Sequence, residues 1–296
     1  MKKILFLISI SCLSSYVFAQ NNQVLRLEIQ KILAGKNLTA GISIKNLKTN
    51  DTLSFNRNEQ VPMLSVFKFH IALTALDLVD KKKLNLNDKI FIKKADLHPN
   101  TWSPLKDDYP EGNVNITLDQ LLSYTVSHSD NNGCDILLDL IGGTTTVQKF
   151  IVSKGIKDFT IEYNEQQMNT FERFYKNSTT PLATTSILEK FYKGKILKKN
   201  TTAYLYDLMV KTSRGLTWMK AGLPENTELA HRTGISSLND ENMRAALNDV
   251  GIFKLPNGQP IILTVYLKNI TEERAATEKI IADIAKATYT FYSEKN

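Results

Sequence analysis

The chain predicts a mixed fold, α/β plus all-α: an antiparallel sheet flanked by N- and C-terminal helices, with a helical lobe inserted between its strands. Three observations carry this. Apolar and polar residues alternate in short runs near both ends of the chain. The stretch from about 65 to 225 has helical periodicity instead. No internal repeat or low-complexity linker interrupts either pattern.

Residues 1–19 stand apart from the fold. Lys2 and Lys3 precede an apolar run, Ile4 to Ile10, and Val17-Phe18-Ala19 offers a small-residue cleavage site before Gln20. This predicts a signal peptide and a mature protein in the periplasm. Lipidation at Cys12 is the alternative, but Ser9 stands where an aliphatic residue is usual. No later run reaches the roughly 18 apolar residues of a membrane span, so no stable membrane association is expected.

Residues 23–34 predict an amphipathic helix closed by Gly35. Ala40–Leu47 and Thr52–Phe55 alternate around Lys-Thr-Asn-Asp, a hairpin pattern. Val66–Val79 is apolar nearly all round and predicts a buried central helix. Further helices are expected within Asp119–Ile141, Thr185–Leu197 and Thr201–Met209. Strand patterns return at Glu228–Thr233, Ala245–Phe253 and Ile261–Leu267, the last two joined by a Pro256-Asn257-Gly258 turn. Residues 271–292 predict a terminal helix. The expected division is a discontinuous α/β domain, 20–64 with 211–296, and a helical domain, 65–210, with the active site at their seam.

Composition excludes several function classes. Beyond Lys2 and Lys3, 35 basic and 30 acidic side chains leave a net charge of +5. The basic residues are scattered and lack interleaved aromatics, so no nucleic-acid partner is expected. Only Cys134 remains beyond residue 19, which rules out an intramolecular disulfide. It lies in an apolar helical pattern and reads as a small buried side chain. His70, His98, His128 and His231 show no metal-ligand spacing, so neither a metal nor another cofactor is expected. The expected state is a monomer.

Ser-x-x-Lys occurs twice, at Ser65–Lys68 and Ser103–Lys106. Ser103 sits among loop formers, whereas Ser65 opens the apolar helix. There, i and i+3 share a face, the helix N-terminus favours a developing negative charge, and apolar surroundings favour a neutral, basic Lys68. A capping serine with a snorkelling lysine would look the same. Ser129-Asp130-Asn131 precedes another apolar helix; it reads as an N-cap, or as a proton donor, Ser129, beside an amide, Asn131, that holds Lys68 and a carbonyl. His231-Arg232-Thr233-Gly234 ends a strand. Its charge, hydroxyl and bare backbone suit a carboxylate, though an edge strand ending in a charged turn is common.

Taken together and in order, these motifs resemble class A serine β-lactamases, in the branch of cephalosporinases and extended-spectrum enzymes, across essentially the whole mature chain. Met63-Leu64-Ser65-Val66-Phe67-Lys68-Phe69-His70 and Ser129-Asp130-Asn131-Asn132 carry that resemblance, as does Glu165-Gln166-Gln167-Met168-Asn169, similar to the family's omega loop. The resemblance implies the β-lactamase/transpeptidase-like fold and hydrolysis of penicillins and cephalosporins, hence antibiotic resistance. It implies Ser65 as nucleophile, Lys68 or Glu165 as acylation base, and Ser129 as donor to the leaving nitrogen. Glu165 with Asn169 would activate the deacylating water. Ser65 and Ile235 backbone N–H groups would form an oxyanion hole, Arg232 and Thr233 would bind the substrate carboxylate, Gly234 would let substrate approach, and Trp102 would stand at the cleft mouth. A D,D-peptidase or penicillin-binding protein shares the nucleophile motifs but needs no Glu165; a non-turnover β-lactam sensor is the other alternative.

The chain departs from the family pattern in three places. Arg232 replaces a lysine. Asn177 stands where an aspartate usually pairs with an arginine that is missing here. No arginine lies on Ala246–Phe253, leaving Arg214, Lys220 and Arg244 as candidates for a second carboxylate-binding charge.

Overall fold

The computed structural model describes residues 22–294; the signal-peptide reading therefore lies outside the described residues. Helix α1 (residues 22–33) leads into the hairpin β1 (Thr39–Asn46) and β2 (Thr52–Phe55). Then come β3 (Val61–Pro62), a 3-10 turn (Leu64–Val66), α2 (Phe67–Asp80), β4 (Lys89–Ile92), α3 (Pro104–Asp108), β5 (Val114–Thr117), α4 (Leu118–Ser127), α5 (Asn131–Ile141) and α6 (Gly143–Ser153). β6 (Phe159–Thr160), α7 (Phe171–Phe174), β7 (Ser178–Thr179), α8 (Pro181–Tyr192) and α9 (Lys199–Val210) complete the middle of the chain. β8 (Leu229–Ile235), β9 (Arg244–Lys254), β10 (Pro260–Ile270) and α10 (Arg274–Glu294) follow.

The main sheet is antiparallel, in the order β2-β1-β10-β9-β8. Alternation along its strands feeds two cores. Ile42, Ile44, Leu263, Val265, Leu247 and Phe253 face one way, against Leu25 and Ile29 of α1 and Ile280, Ile281 and Ile284 of α10. Val250, Ile252, Ile262 and Tyr266 face the other way, into the apolar cluster built by α2 and the helices around it. The division between the two clusters is thus the sheet itself. α8 crosses that second face, where Thr184 Oγ1 and the Tyr266 hydroxyl are hydrogen-bonded at 2.8 Å and Lys45 pairs with Glu189 at 2.6 Å.

Helix α2 is buried from Phe67 to Asp77, which its nearly unbroken apolar sequence demands. Several boundaries differ from expectation for local reasons. α8 starts at Pro181 rather than Thr185, because Thr180 caps Ala183 N–H at 3.1 Å and proline suits the first helical position. α5 ends at Ile141 as expected, where Gly142 adopts φ +91°, a left-handed break, and α6 beyond it adds to the expected helices. The β4–β5 ribbon breaks an otherwise helical stretch of sequence, in a region whose periodicity predicts only helices.

Candidate active site

Ser65 sits in the 3-10 turn that runs into α2. Leu64 before it has φ +48°, where residues with a side chain are uncommon, so the chain bends sharply to present Ser65 at the helix head. One turn on, Lys68 Nζ donates to Ser65 Oγ at 2.8 Å and to Asn131 Oδ1 at 2.7 Å, and pairs with the Glu165 carboxylate. The helix around Lys68 is apolar, but other elements bring three polar acceptors to its tip. Ser65 Oγ donates in turn to Glu165 Oε1 at 3.3 Å.

Ser129, like Leu64, adopts a left-handed conformation, φ +58°, and it precedes Asp130, the N-cap of α5. Asp130 accepts N–H from Gly133 at 2.7 Å and from Leu105 at 2.6 Å, together with the Ser103 hydroxyl. The cap reading and the site reading of Ser129–Asn131 therefore hold together: the cap aims its two neighbours. Asn131 Nδ2 donates to Thr101 Oγ1 at 2.7 Å, and Asn132 bonds both backbone groups of His98, fixing the loop that carries Trp102.

Arg232 departs from expectation. It is fully buried, and its guanidinium donates to Ser129 Oγ at 3.0 Å, to Ser65 O at 3.2 Å and to Val126 O. Burial pulls its pKa down to about 10. So placed, it lies behind Ser129 and outside the lining of the cleft, which does not match the expected contact with a substrate carboxylate. Its neighbour His231 is spent on a buried contact with Asp249 at 2.8 Å.

Strand β8 is the sheet edge that borders the cleft. Ser236 N–H donates to Ala246 O across the ladder at 3.1 Å, so the N–H of Ile235, one residue earlier, points to the open side. Gly234 lines the cleft, but the room left by its missing side chain belongs to the protein: a Cβ there would lie 2.5 Å from Met63 O. The glycine lets β8 press against the turn that holds Ser65.

Glu165 lies on the loop between β6 and α7. Asn177, in place of the expected aspartate, clamps this loop. Its Oδ1 accepts N–H from Glu162 at 2.8 Å and Tyr163 at 3.0 Å, while its Nδ2 donates to Tyr163 O at 2.7 Å. An amide satisfies backbone donors and acceptor alike, so no arginine partner is needed. Asn169 shares a cavity wall with Glu165, yet its Oδ1 accepts from Arg173 at 3.1 Å. The group that holds Glu165 is one that sequence reasoning missed: Asp135 on α5 accepts N–H from Glu165 at 2.8 Å and from Gln166 at 3.1 Å. An acidic residue amid the apolar positions of α5 was the available signal.

Two cavities meet at Ser65. One, of about 300 Å³, is lined by Ser129, Thr233, Gly234, Arg214 and Arg274; the other, of about 700 Å³, by Glu165, Asn169, Asp135 and Ser237. Trp102, Asn131 and Ile235 border both. The Trp102 indole N–H donates to His128 O at 2.9 Å, and Arg214 stacks on its ring at 4.2 Å. Burial lowers the Arg214 pKa, and Arg274 adds to that effect. Lys220 is turned away, donating to Glu225 O and Thr227 O, and Arg244 donates to Ser236 O.

The rival Ser103 is 2% exposed and caps α3, while Lys106 Nζ reaches Pro99 O instead of the hydroxyl. Cys134 is fully buried, and burial pushes its thiol pKa well up. Among the described residues no cluster of His, Cys, Asp and Glu is arranged to hold a metal, and no helix is long and apolar enough to cross a membrane.

A sequence model of the Beta-lactamase enzyme family matches residues 24–292. Beta-lactamase VEB-1 of Pseudomonas aeruginosa is 42% identical over 295 residues, covering 99% of this chain and 98% of that protein. Extended-spectrum beta-lactamase PER-1, from the same organism, is 36% identical over 283 residues, with 95% and 92% covered. Among solved structures, the TLA-3 extended-spectrum beta-lactamase superposes with a TM-score of 0.90 at 42% identity, covering 92% of this chain and 99% of that one.

Proposed function

Because the chain belongs to the β-lactamase enzyme family, as a class A enzyme that hydrolyses the β-lactam ring and confers antibiotic resistance, we propose that its reaction runs through an acyl-enzyme on Ser65. The observation that carries this reading is the contact set at one hydroxyl. Ser65 Oγ accepts from Lys68 and donates to Glu165, with the open-edge N–H of Ile235 bordering the same cleft.

In acylation, Ser65 Oγ attacks the lactam carbonyl and its proton passes to Glu165, the acceptor to which it already points. The carbonyl oxygen takes up charge against the Ser65 and Ile235 N–H groups, a type of contact worth about 2.7–4 kcal/mol per donor. The C–N bond breaks, the nitrogen takes the Ser129 proton, and the Lys68–Glu165 pair returns one to Ser129. Arg232 steadies the Ser129 oxygen from behind. Arg214 and Arg274, with Thr233, meet the substrate carboxylate. In deacylation, water enters from the larger cavity, loses a proton to Glu165 and adds to the ester, and Ser65 leaves with that proton. The size of that cavity supports substrates with bulky side chains, oxyimino-cephalosporins among them.

We also propose export to the periplasm by residues 1–19, a monomer without stable membrane association, and the division of 20–64 with 211–296 from 65–210. The last rests on Arg232–Ile235 coming from one part and Ser65, Ser129 and Glu165 from the other.

The test is Glu165→Gln mixed with a penicillin and a cephalosporin. Intact-mass spectrometry is expected to find a stable adduct on Ser65. Rapid turnover by that variant would remove Glu165 from the mechanism.

A further inference from the structure

Asp135 takes no part in the steps above, yet it holds the backbone of the residue that does. It is 5% exposed, and each of its oxygens accepts one N–H, from Glu165 and from Gln166. Only the carboxylate can accept on both. The neutral acid turns one oxygen into a hydroxyl, a weak acceptor with a hydrogen of its own to place. An asparagine would set an NH2 group against one of two donors.

We propose that Asp135 is a proton-operated latch that positions Glu165: ionised, it fixes the Glu165–Gln166 backbone for deacylation, and protonated, it releases it. The proposal rests on Glu165 serving as the deacylating base.

The charged and titratable groups around Asp135 come from every element that packs near it. Lys68 on α2 favours its ionised form, and Glu165 on the loop opposes it. Asp130 caps its own helix, the neutral Cys134 thiol and Asp139 lie on it, and His98 lines the same cavity. Burial is the largest influence, Glu165 adds to it, and the two N–H donors and Lys68 only partly offset them, so the Asp135 carboxyl stands at about 7. The latch therefore opens within the range of pH an exported protein meets, whereas an ordinary aspartate would stay closed.

The experiment follows release of a preformed acyl-enzyme after a pH jump, using a slowly released cephalosporin on the full mature chain. In the wild type the release rate is expected to fall about tenfold per pH unit below about 7. Asp135→Asn is expected to release more slowly at pH 8 and to lose that acid limb. A variant that keeps the wild-type limb would overturn the latch. Should Asp135→Asn fail to fold, the wild-type Glu165 and Gln166 amide resonances provide the second measurement: they are expected to shift together on titration through that pH, and pH-invariant amides would equally overturn it. A trapped adduct in Glu165→Gln alongside an unchanged limb in Asp135→Asn would sink the latch alone; turnover by Glu165→Gln would sink the mechanism beneath it.

Discussion

At the scale of single residues, chemistry here depends on which atom each side chain's tip reaches. Ser65 and Ser103 share a tetrapeptide pattern, but Lys68 reaches its serine at 2.8 Å and Lys106 reaches a carbonyl. Arg232 and Arg214 are both cationic neighbours of the cleft, one fully buried behind Ser129 and one in the cavity wall. Their substitutions should therefore fail differently. Arg214→Ala removes a contact made equally to bound substrate and transition state, so KM is expected to rise about tenfold, near 1.4 kcal/mol, with kcat little changed. Arg232→Ala strips Ser129 Oγ of its buried donor, and kcat is expected to carry the loss. Steady-state kinetics on one penicillin would separate them, and a pure KM effect in Arg232→Ala would contradict the burial argument.

At the scale of elements, the loop from β6 to α7 shows how a structure replaces a missing ion pair. Asn177 covers three backbone groups from a fully buried position. Asn177→Ala would leave two N–H donors and a carbonyl unpartnered, each costing about 1–3 kcal/mol if it stays dry. Rearrangement and water entry should hold the total toward the low end. The expected result is a lower unfolding temperature, with proteolytic cuts appearing first between residues 161 and 177; cuts confined to the termini would argue that the loop is held elsewhere.

At the scale of the whole molecule, two buried titratable groups bend stability against pH in opposite directions. Burial holds His70, packed against Phe159 at 4.6 Å, at about 3 instead of 6.5. The unfolded chain then binds the extra proton between those values, so stability is lost as pH falls from 6.5 toward 3. Asp135 is raised from 3.8 to about 7, so the folded state binds the extra proton and stability declines as pH rises across that window. The ionised latch that serves catalysis thus costs the fold stability. In thermal unfolding between pH 4 and 6, His70→Leu is expected to flatten the acid-side loss; an unchanged slope would show that His70 does not titrate this way.

The sequence by itself determined the layered plan. Alternating runs near both ends read as strands of one sheet and the unbroken apolar run of Val66–Val79 as a core helix, while the cover on both faces of the sheet came from the tertiary structure. It also determined the residues that meet: Ser65 and Lys68 through helical spacing, Ser129 and Asn131 through a cap, Glu165 through resemblance. Only the tertiary structure decided what surrounds each tip. Arg232 turned inward, Asn169 was taken by Arg173, and Asp135 came to hold Glu165 from 30 residues away. Periodicity reports which face of an element is buried, because burial of apolar area is additive along it. Hydrogen-bond partners and shifted pKa values depend on groups brought in by other elements, and no local pattern encodes those.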